Sequence, residues 1–125
     1  EVGLGGADDP YNREPFPWHN EESWNNTILE FTKTMMQIKN KNSIFKYGRF
    51  ELLDYKEDVV IFRRILQDES LICIVNRDRT TNDISISSNA HSIETVYGDC
   101  VANLEDGSVK VTKNAGDIGI ILHEK

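Results

Sequence analysis

Hydrophobic and polar positions divide the 125-residue chain into stretches with different periods. Between residues 20 and 42, Trp24, Ile28, Phe31, Met35 and Ile38 recur at steps of four and three. That spacing places them on one face of an α-helix. Leu29 and Met36 fall beside the stripe and widen it, so the helix is expected to pack on more than one neighbour. Both methionines are read as core filling rather than as an adaptable binding face. Thr27-Ile28-Leu29-Glu30 has the form of a capping box and sets the regular helix to begin near Asn26. Lys39 and Lys41 supply cations at the negative pole of the helix.

After Tyr47-Gly48 the period falls to two. Alternating or continuous apolar runs predict strands over residues 50–55, 59–66, 71–76, 83–87, 93–97, 109–112 and 118–123. The segments between them carry turn chemistry: Lys56-Glu57-Asp58, Gln67-Asp68-Glu69, Asn76-Arg77-Asp78-Arg79, Glu105-Asp106-Gly107 and Asn114-Ala115-Gly116-Asp117. Leu71 to Val75 is apolar throughout, as a central strand covered on both faces requires, whereas Ile84-Ser85-Ile86-Ser87 alternates as a strand with one wet face does. Short strands with close turn spacing predict a mainly β chain, an antiparallel two-layer sandwich preceded by one long amphipathic helix.

The first 18 residues, EVGLGGADDPYNREPFPW, follow neither period. They hold all three prolines of the protein together with Tyr11, Phe16 and Trp18. Disordered tails are poor in aromatic residues, and a long irregular segment in a compact domain is usually a functional loop. The stretch is therefore read as an active-site loop.

Composition narrows the partners. With 38% hydrophobic and 28% charged residues the chain is ordinary for a globular protein. A net charge of −7 with scattered basic residues argues against nucleic acid, which needs a basic footprint. No apolar stretch approaches the length of a membrane span and no signal peptide is visible, so no membrane partner is expected; a cytoplasmic setting is expected only from a family resemblance. Cys73 and Cys100 lack the spacing of a metal or redox motif and are read as buried small hydrophobes, with a disulfide left open for a secreted setting. His19, His91 and His123 lie far apart without ligand spacing and are read as surface or structural residues, so no metal site is expected; no cofactor is expected either.

Several of these features resemble the C-terminal end of alpha-amylase family enzymes (glycoside hydrolase family 13), of the neopullulanase, cyclomaltodextrinase and maltogenic amylase kind. In that group the last barrel strand and its following loop read roughly YYGDE-x-G-x-x-GG-x-DP-x-x-R-x-P-F-x-W. This chain is similar from Glu1 through Gly3, Gly5-Gly6, Asp9-Pro10, Arg13, Pro15-Phe16 and Trp18. Further on, Lys46-Tyr47-Gly48-Arg49-Phe50, Asp58-Val59-Val60-Ile61-Phe62-Arg63 and Ile74-Val75-Asn76-Arg77 match later features of the group, and beyond about residue 80 the likeness weakens.

The resemblance implies that residues 1–43 are the last βα loop and last helix of a (β/α)8 barrel, and residues 44–125 a C-terminal β-sandwich domain. Such a barrel takes roughly 200 residues or more. The catalytic Asp, acid/base Glu and second Asp of the family would precede Glu1, so no catalytic residue is assigned and the chain is expected to be inactive alone. The parent enzyme would be a retaining hydrolase of α-glucosidic bonds in maltodextrin-like glucans. Sugar hydroxyls are bound by carboxylates and arginines, and Asp9 and Arg13 are the motif members that fit. By resemblance they reach the donor-side glucose, supporting each other through a charge-assisted bond; alternatively the pair only staples the loop. Asp8 and Asp9 do not make an acid/base pair, because glycosidic cleavage needs two carboxyls about 5–9.5 Å apart flanking one bond. Phe16 and Trp18 are expected to pack the loop rather than stack on sugar, and Tyr11 is a weaker candidate for stacking.

A competing reading is a free-standing carbohydrate-binding or interaction sandwich. It needs exposed aromatics in the β region, where Phe50, Tyr55, Phe62 and Tyr97 fall mostly at alternating, core-like positions. The helix adds one more expectation. A barrel helix without its barrel leaves apolar surface uncovered, so the chain is expected to self-associate or to order its first residues poorly.

Overall fold

The computed structural model describes residues 2–56, 58–77, 83–113 and 119–125. Glu1, the turn residues Glu57, Asp78, Arg79 and Asn114 to Asp117, and Ile118 at the start of the last predicted strand lie outside the described residues. The chain forms two compact units, Glu1–Lys41 and Asn42–Lys125.

The first unit is an irregular segment, a 3-10 turn Glu21–Ser23 and helix α1, Asn26–Lys41. The helix starts where the pattern placed it, but a different residue caps it. Asn25 Oδ1 accepts the Ile28 N–H at 3.1 Å, while the Asn25 carbonyl takes the first intrahelical bond, from Leu29 N at 3.0 Å. Asparagine is among the strongest N-caps, and Thr27 already lies inside the first turn. Lys39 and Lys41 occupy the last turn as expected. The apolar stripe, however, is not a core: no residue of α1 is buried, and Ile28, Phe31 and Met36 are exposed. Trp24 precedes the helix and joins the irregular segment instead.

The second unit opens with a short helix that the periodicity did not separate, α2, Ser43–Tyr47. Eight strands follow: β1 Arg49–Tyr55, β2 Val59–Leu66, β3 Glu69–Asn76, β4 Asp83–Ser87, β5 Ile93–Tyr97, β6 Cys100–Glu105, β7 Ser108–Lys113 and β8 Gly119–Glu124. They form an antiparallel five-stranded sheet in the order β1-β2-β3-β8-β5 and a three-stranded sheet in the order β4-β7-β6. The architecture is mainly β, a two-layer sandwich, as the sequence pattern requires. Seven of the strands match predicted runs; β6 was not foreseen. Its burial alternates, with Cys100, Ala102 and Leu104 turned toward the core, but two of those three side chains are small and the outward Val101 blurs the pattern.

The core lies between the sheets. Ile61, Ile72, Ile74, Ile120 and Leu122 from the larger sheet meet Ile86, Val109 and Val111 from the smaller. β3 sits at the centre of its sheet and buries Leu71, Ile72, Cys73 and Ile74, so both faces are covered over most of its length. Full burial of each aliphatic side chain stabilises by about 1.5–3 kcal/mol. The β2–β3 and β6–β7 hairpins turn at Gln67-Asp68 and Asp106-Gly107, where Gln67, Asp106 and Gly107 take positive φ angles suited to tight antiparallel turns.

On the outer side of the larger sheet α2 packs against β2 and β3. Its closeness depends on Gly48. A Cβ there would lie 2.5 Å from the Ile44 carbonyl oxygen and 2.9 Å from that of Ile65. Arg64 Nη2 donates to the Phe45 carbonyl at 3.2 Å and ties the helix to the same end of β2. The sequence reading is corrected on this face: Phe50 and Tyr55 do not enter the core but are exposed. Partner registers explain it. Phe50, Leu52 and Tyr55 align with Arg64, Phe62 and Val60, whose side chains alternate away from the core residue Ile61.

Candidate functional site

The candidate site is the irregular segment of the first unit, and its start is fixed to the beginning of α1. Val2 is buried, and its carbonyl accepts the Asn25 N–H at 2.9 Å. Gly3 follows with φ +69°, and a Cβ on it would come within 2.9 Å of Asn25 Cβ. Both the positive φ and the close approach suit glycine alone. Asn25 thus caps the helix with its side chain and holds the loop with its backbone, a double role the sequence reading missed. The available signal was an asparagine immediately before the helical run.

Two successive turns shape the middle of the segment. Tyr11 N–H donates to the Asp8 carbonyl at 2.9 Å and Arg13 N–H donates to the Pro10 carbonyl at 3.1 Å, around a cis Asp9-Pro10 peptide. They bring Asp9 and Arg13 to the same side, with Arg13 Nε 2.9 Å from Asp9 Oδ1. The two side chains are 60% and 76% exposed respectively, so neither is consumed by the protein interior. An exposed pair of this kind stabilises a fold by only about 0–1 kcal/mol. What it does provide is a pre-oriented set of acceptors and donors, with the second carboxylate oxygen and the outer guanidinium nitrogens left for hydroxyl groups.

An aromatic brace closes the segment. Phe16 sits between Trp18, with ring centroids 4.3 Å apart, and Trp24, edge-on at 5.6 Å. Trp24 Nε1 donates to the Pro17 carbonyl at 3.1 Å. Phe16 therefore packs the loop, as expected, while Trp18 leaves most of its surface exposed, as does Tyr11. Trp24 looked like the first residue of the helix stripe; its indole N–H and ring instead brace the loop.

The sandwich offers a different cavity, a groove of about 790 Å³ between β1, β2 and β4. Carboxylates of Glu51, Asp54, Asp58 and Asp83 line it together with aliphatic side chains, and no aromatic ring does. Asp58 is already paired with Arg77 at 2.8 Å. The groove has no face on which a sugar ring could stack. Among the described residues no helix is long and apolar enough to cross a membrane.

Comparison with known proteins agrees with the resemblance seen in the motifs. No family model matches the chain. It is 33% identical over 99 residues to an amylopullulanase of Thermoanaerobacterium thermosulfurigenes, covering 70% of this chain and 5% of that protein. It is 33% identical over 89 residues to the intracellular maltogenic amylase of Bacillus subtilis, covering 69% of this chain and 15% of that protein. Among solved structures, the Nostoc punctiforme debranching enzyme superposes with a TM-score of 0.80 at 24% identity, over 97% of this chain and 26% of the other. A cyclomaltodextrinase superposes with a TM-score of 0.79 at 16% identity, over 99% and 22%. The chain thus spans about 5–15% of the length of these curated relatives. The region matched is the C-terminal one. Taken with the loop motif and the sandwich, these likenesses show that the chain belongs to the alpha-amylase family of glycoside hydrolases.

Proposed function

We propose that residues 1–43 are the final βα loop and final helix of a catalytic (β/α)8 barrel, and that residues 44–125 are the C-terminal sandwich that supports it. The whole enzyme hydrolyses α-glucosidic bonds of maltodextrin-like glucans in the cytoplasm, with Asp9 and Arg13 gripping the donor-side glucose. The single observation that carries this reading is the Asp9–Arg13 pair, aligned at 2.9 Å and exposed on a loop anchored at Gly3, Asn25 and Trp24. Loops at the C-terminal face of such barrels carry the binding groups. The catalytic carboxylates belong to the remainder of the barrel, so the 125-residue chain alone does not turn over substrate. The uncovered apolar side chains of α1 also favour self-association of the isolated chain.

The test is made in the whole enzyme. Asp9→Asn and Arg13→Ala each lower kcat/KM on maltodextrin by about tenfold to a hundredfold, the range for losing a hydrogen bond to a charged group (~1.5–3 kcal/mol). Unchanged kinetics in both variants would leave the pair a loop staple and sink the substrate role.

The exposure of Phe50 and Tyr55 favours a second reading, a sugar-binding face on the sandwich. Their neighbours Leu52, Val60 and Val75 offer no hydrogen-bonding side chain for sugar hydroxyls. Calorimetry of the chain with maltoheptaose separates the two readings: binding abolished by Tyr55→Ala would establish the second.

A further inference from the structure

The loop that carries Asp9 and Arg13 is held at both of its ends by one dipeptide, Trp24-Asn25. At the incoming end the Asn25 N–H donates to the Val2 carbonyl at 2.9 Å. At the outgoing end the Trp24 Nε1–H donates to the Pro17 carbonyl at 3.1 Å, and the Trp24 ring meets Phe16 edge-on at 5.6 Å. Residues 2–17 are thereby closed into a loop with adjoining ends, at the upper limit of the about 6–16 residues that compact surface loops of this kind span. Asn25 also caps α1, its Oδ1 accepting from the Ile28 N–H at 3.1 Å. The base of the loop is thus continuous with the first turn of a helix.

Within the loop the two arms meet again where Gly6 lies against Asn12, so that a Cβ on Gly6 would fall 3.4 Å from Asn12 Cα. Among the described residues the Asp9 and Arg13 side chains bond only to each other. Their position therefore follows the course of the loop backbone, and that course is set where its ends are tied. Fixing the ends before a ligand arrives removes the ordering of the loop from the cost of binding.

We infer that Trp24 and Asn25 are positioning residues for the Asp9–Arg13 pair: they clasp the base of the loop to the start of α1 and hold the pair ready for sugar hydroxyls. The identity of the ligand rests on the glucan reading, whereas the clasp rests on the geometry of the loop. Both residues act through the backbone between them and the pair, not on the sugar. Loosening the clasp leaves the pair in place but poorly held. A grip on the donor-side glucose that is made equally in the ground and transition states then weakens, which raises KM and leaves kcat alone.

Kinetics of the whole enzyme on maltodextrin test this with one variant at each end of the loop, so that a failure of one to fold leaves the other. Trp24→Phe keeps a ring against Phe16 but removes the N–H to Pro17, and Gly3→Ala drives a methyl group against Asn25. Each is expected to raise KM about threefold to tenfold, in keeping with one hydrogen bond lost, with kcat within about twofold. A merely structural loss would instead reduce the amount of active enzyme, and with it the apparent kcat, at constant KM. In an Arg13→Ala background the same changes add nothing further, because the pair through which they act is gone. Hydrogen exchange at the Tyr11 and Arg13 amides, both bonded inside the loop, quickens in either variant. Exchange unchanged in both variants overturns the inference, and so does a rise in KM that adds in full to that of Arg13→Ala. Should Arg13→Ala itself leave the kinetics untouched, the glucan reading falls while quickened exchange still upholds the clasp.

Discussion

Arg63 on β2 and Glu124 on β8 meet across the intervening strand β3, with Arg63 Nε 3.0 Å from Glu124 Oε2, and both side chains are largely buried. Ser70 on β3 donates its hydroxyl to the same carboxylate, and Arg63 Nη2 donates to the Ser87 carbonyl at 2.9 Å. Ser87 closes β4, so this one arginine ties the larger sheet to the free edge of the smaller.

Breaking that pair leaves a buried charge without its partner. Glu124→Ala is expected to destabilise the sandwich by about 3–5 kcal/mol, read from the urea unfolding midpoint. The double variant Arg63→Met with Glu124→Leu restores most of the loss, because it removes both desolvation costs together. A single variant within about 0.5 kcal/mol of the parent chain would show that the pair is not part of the staple.

Gly48 sets the distance between α2 and β2. Its φ is −66°, open to any residue, so the requirement is one of space. Gly48→Ala pushes a methyl group against the carbonyl oxygens of Ile44 and Ile65 and is expected to cost about 1–3 kcal/mol. Thermal unfolding measures it, and an unchanged midpoint would show that α2 is free to back away from the sheet.

Cys73 is buried on the outer side of β3 at the end covered by α2, and burial pushes its thiol up from 9.0 to about 12, partly offset by the nearby Arg64 cation. At neutral pH the native chain thus holds Cys73 as an inert thiol, and a disulfide reagent labels it only after unfolding. The native state keeps this proton at a pH where the unfolded state has lost it. The contribution is intact below pH 9 and declines as pH rises toward 12. Cys73→Ala flattens that part of the stability profile. Rapid labelling of Cys73 in the folded chain would contradict its burial.

If the Asp9–Arg13 pair serves substrate rather than fold, stability and function respond differently. Asp9→Asn shifts the unfolding midpoint of the chain by no more than the equivalent of about 1 kcal/mol, the ceiling for an exposed pair. A larger loss would make the loop staple its main role.

Much of this was legible in the sequence because long apolar or alternating runs leave few choices. Strand β2 begins and ends where the pattern of Val59 to Leu66 does, and the apolar run in β3 reads directly as a central strand. The misreadings have local causes. Thr27 and Glu30 imitated a capping box, while Asn25, two residues earlier, does the capping. Trp24 sat in phase with the helix stripe but is claimed by the loop through Phe16 and the Pro17 carbonyl. Phe50 and Tyr55 alternate as core residues would, yet alternation does not say which face of a sheet is inward, and the irregularity in β1 between Leu52 and Asp54 shifts the phase between them. The loop motif placed Asp9 and Arg13 four residues apart, but only the two turns around Pro10 bring their charges together.

The gene sequence immediately upstream of the Glu1 codon tests the central claim most directly. The account predicts an open reading frame continuing upstream for roughly 200 residues or more of alternating strands and helices, with the catalytic carboxylates among them. An initiation codon directly ahead of Glu1 would contradict it.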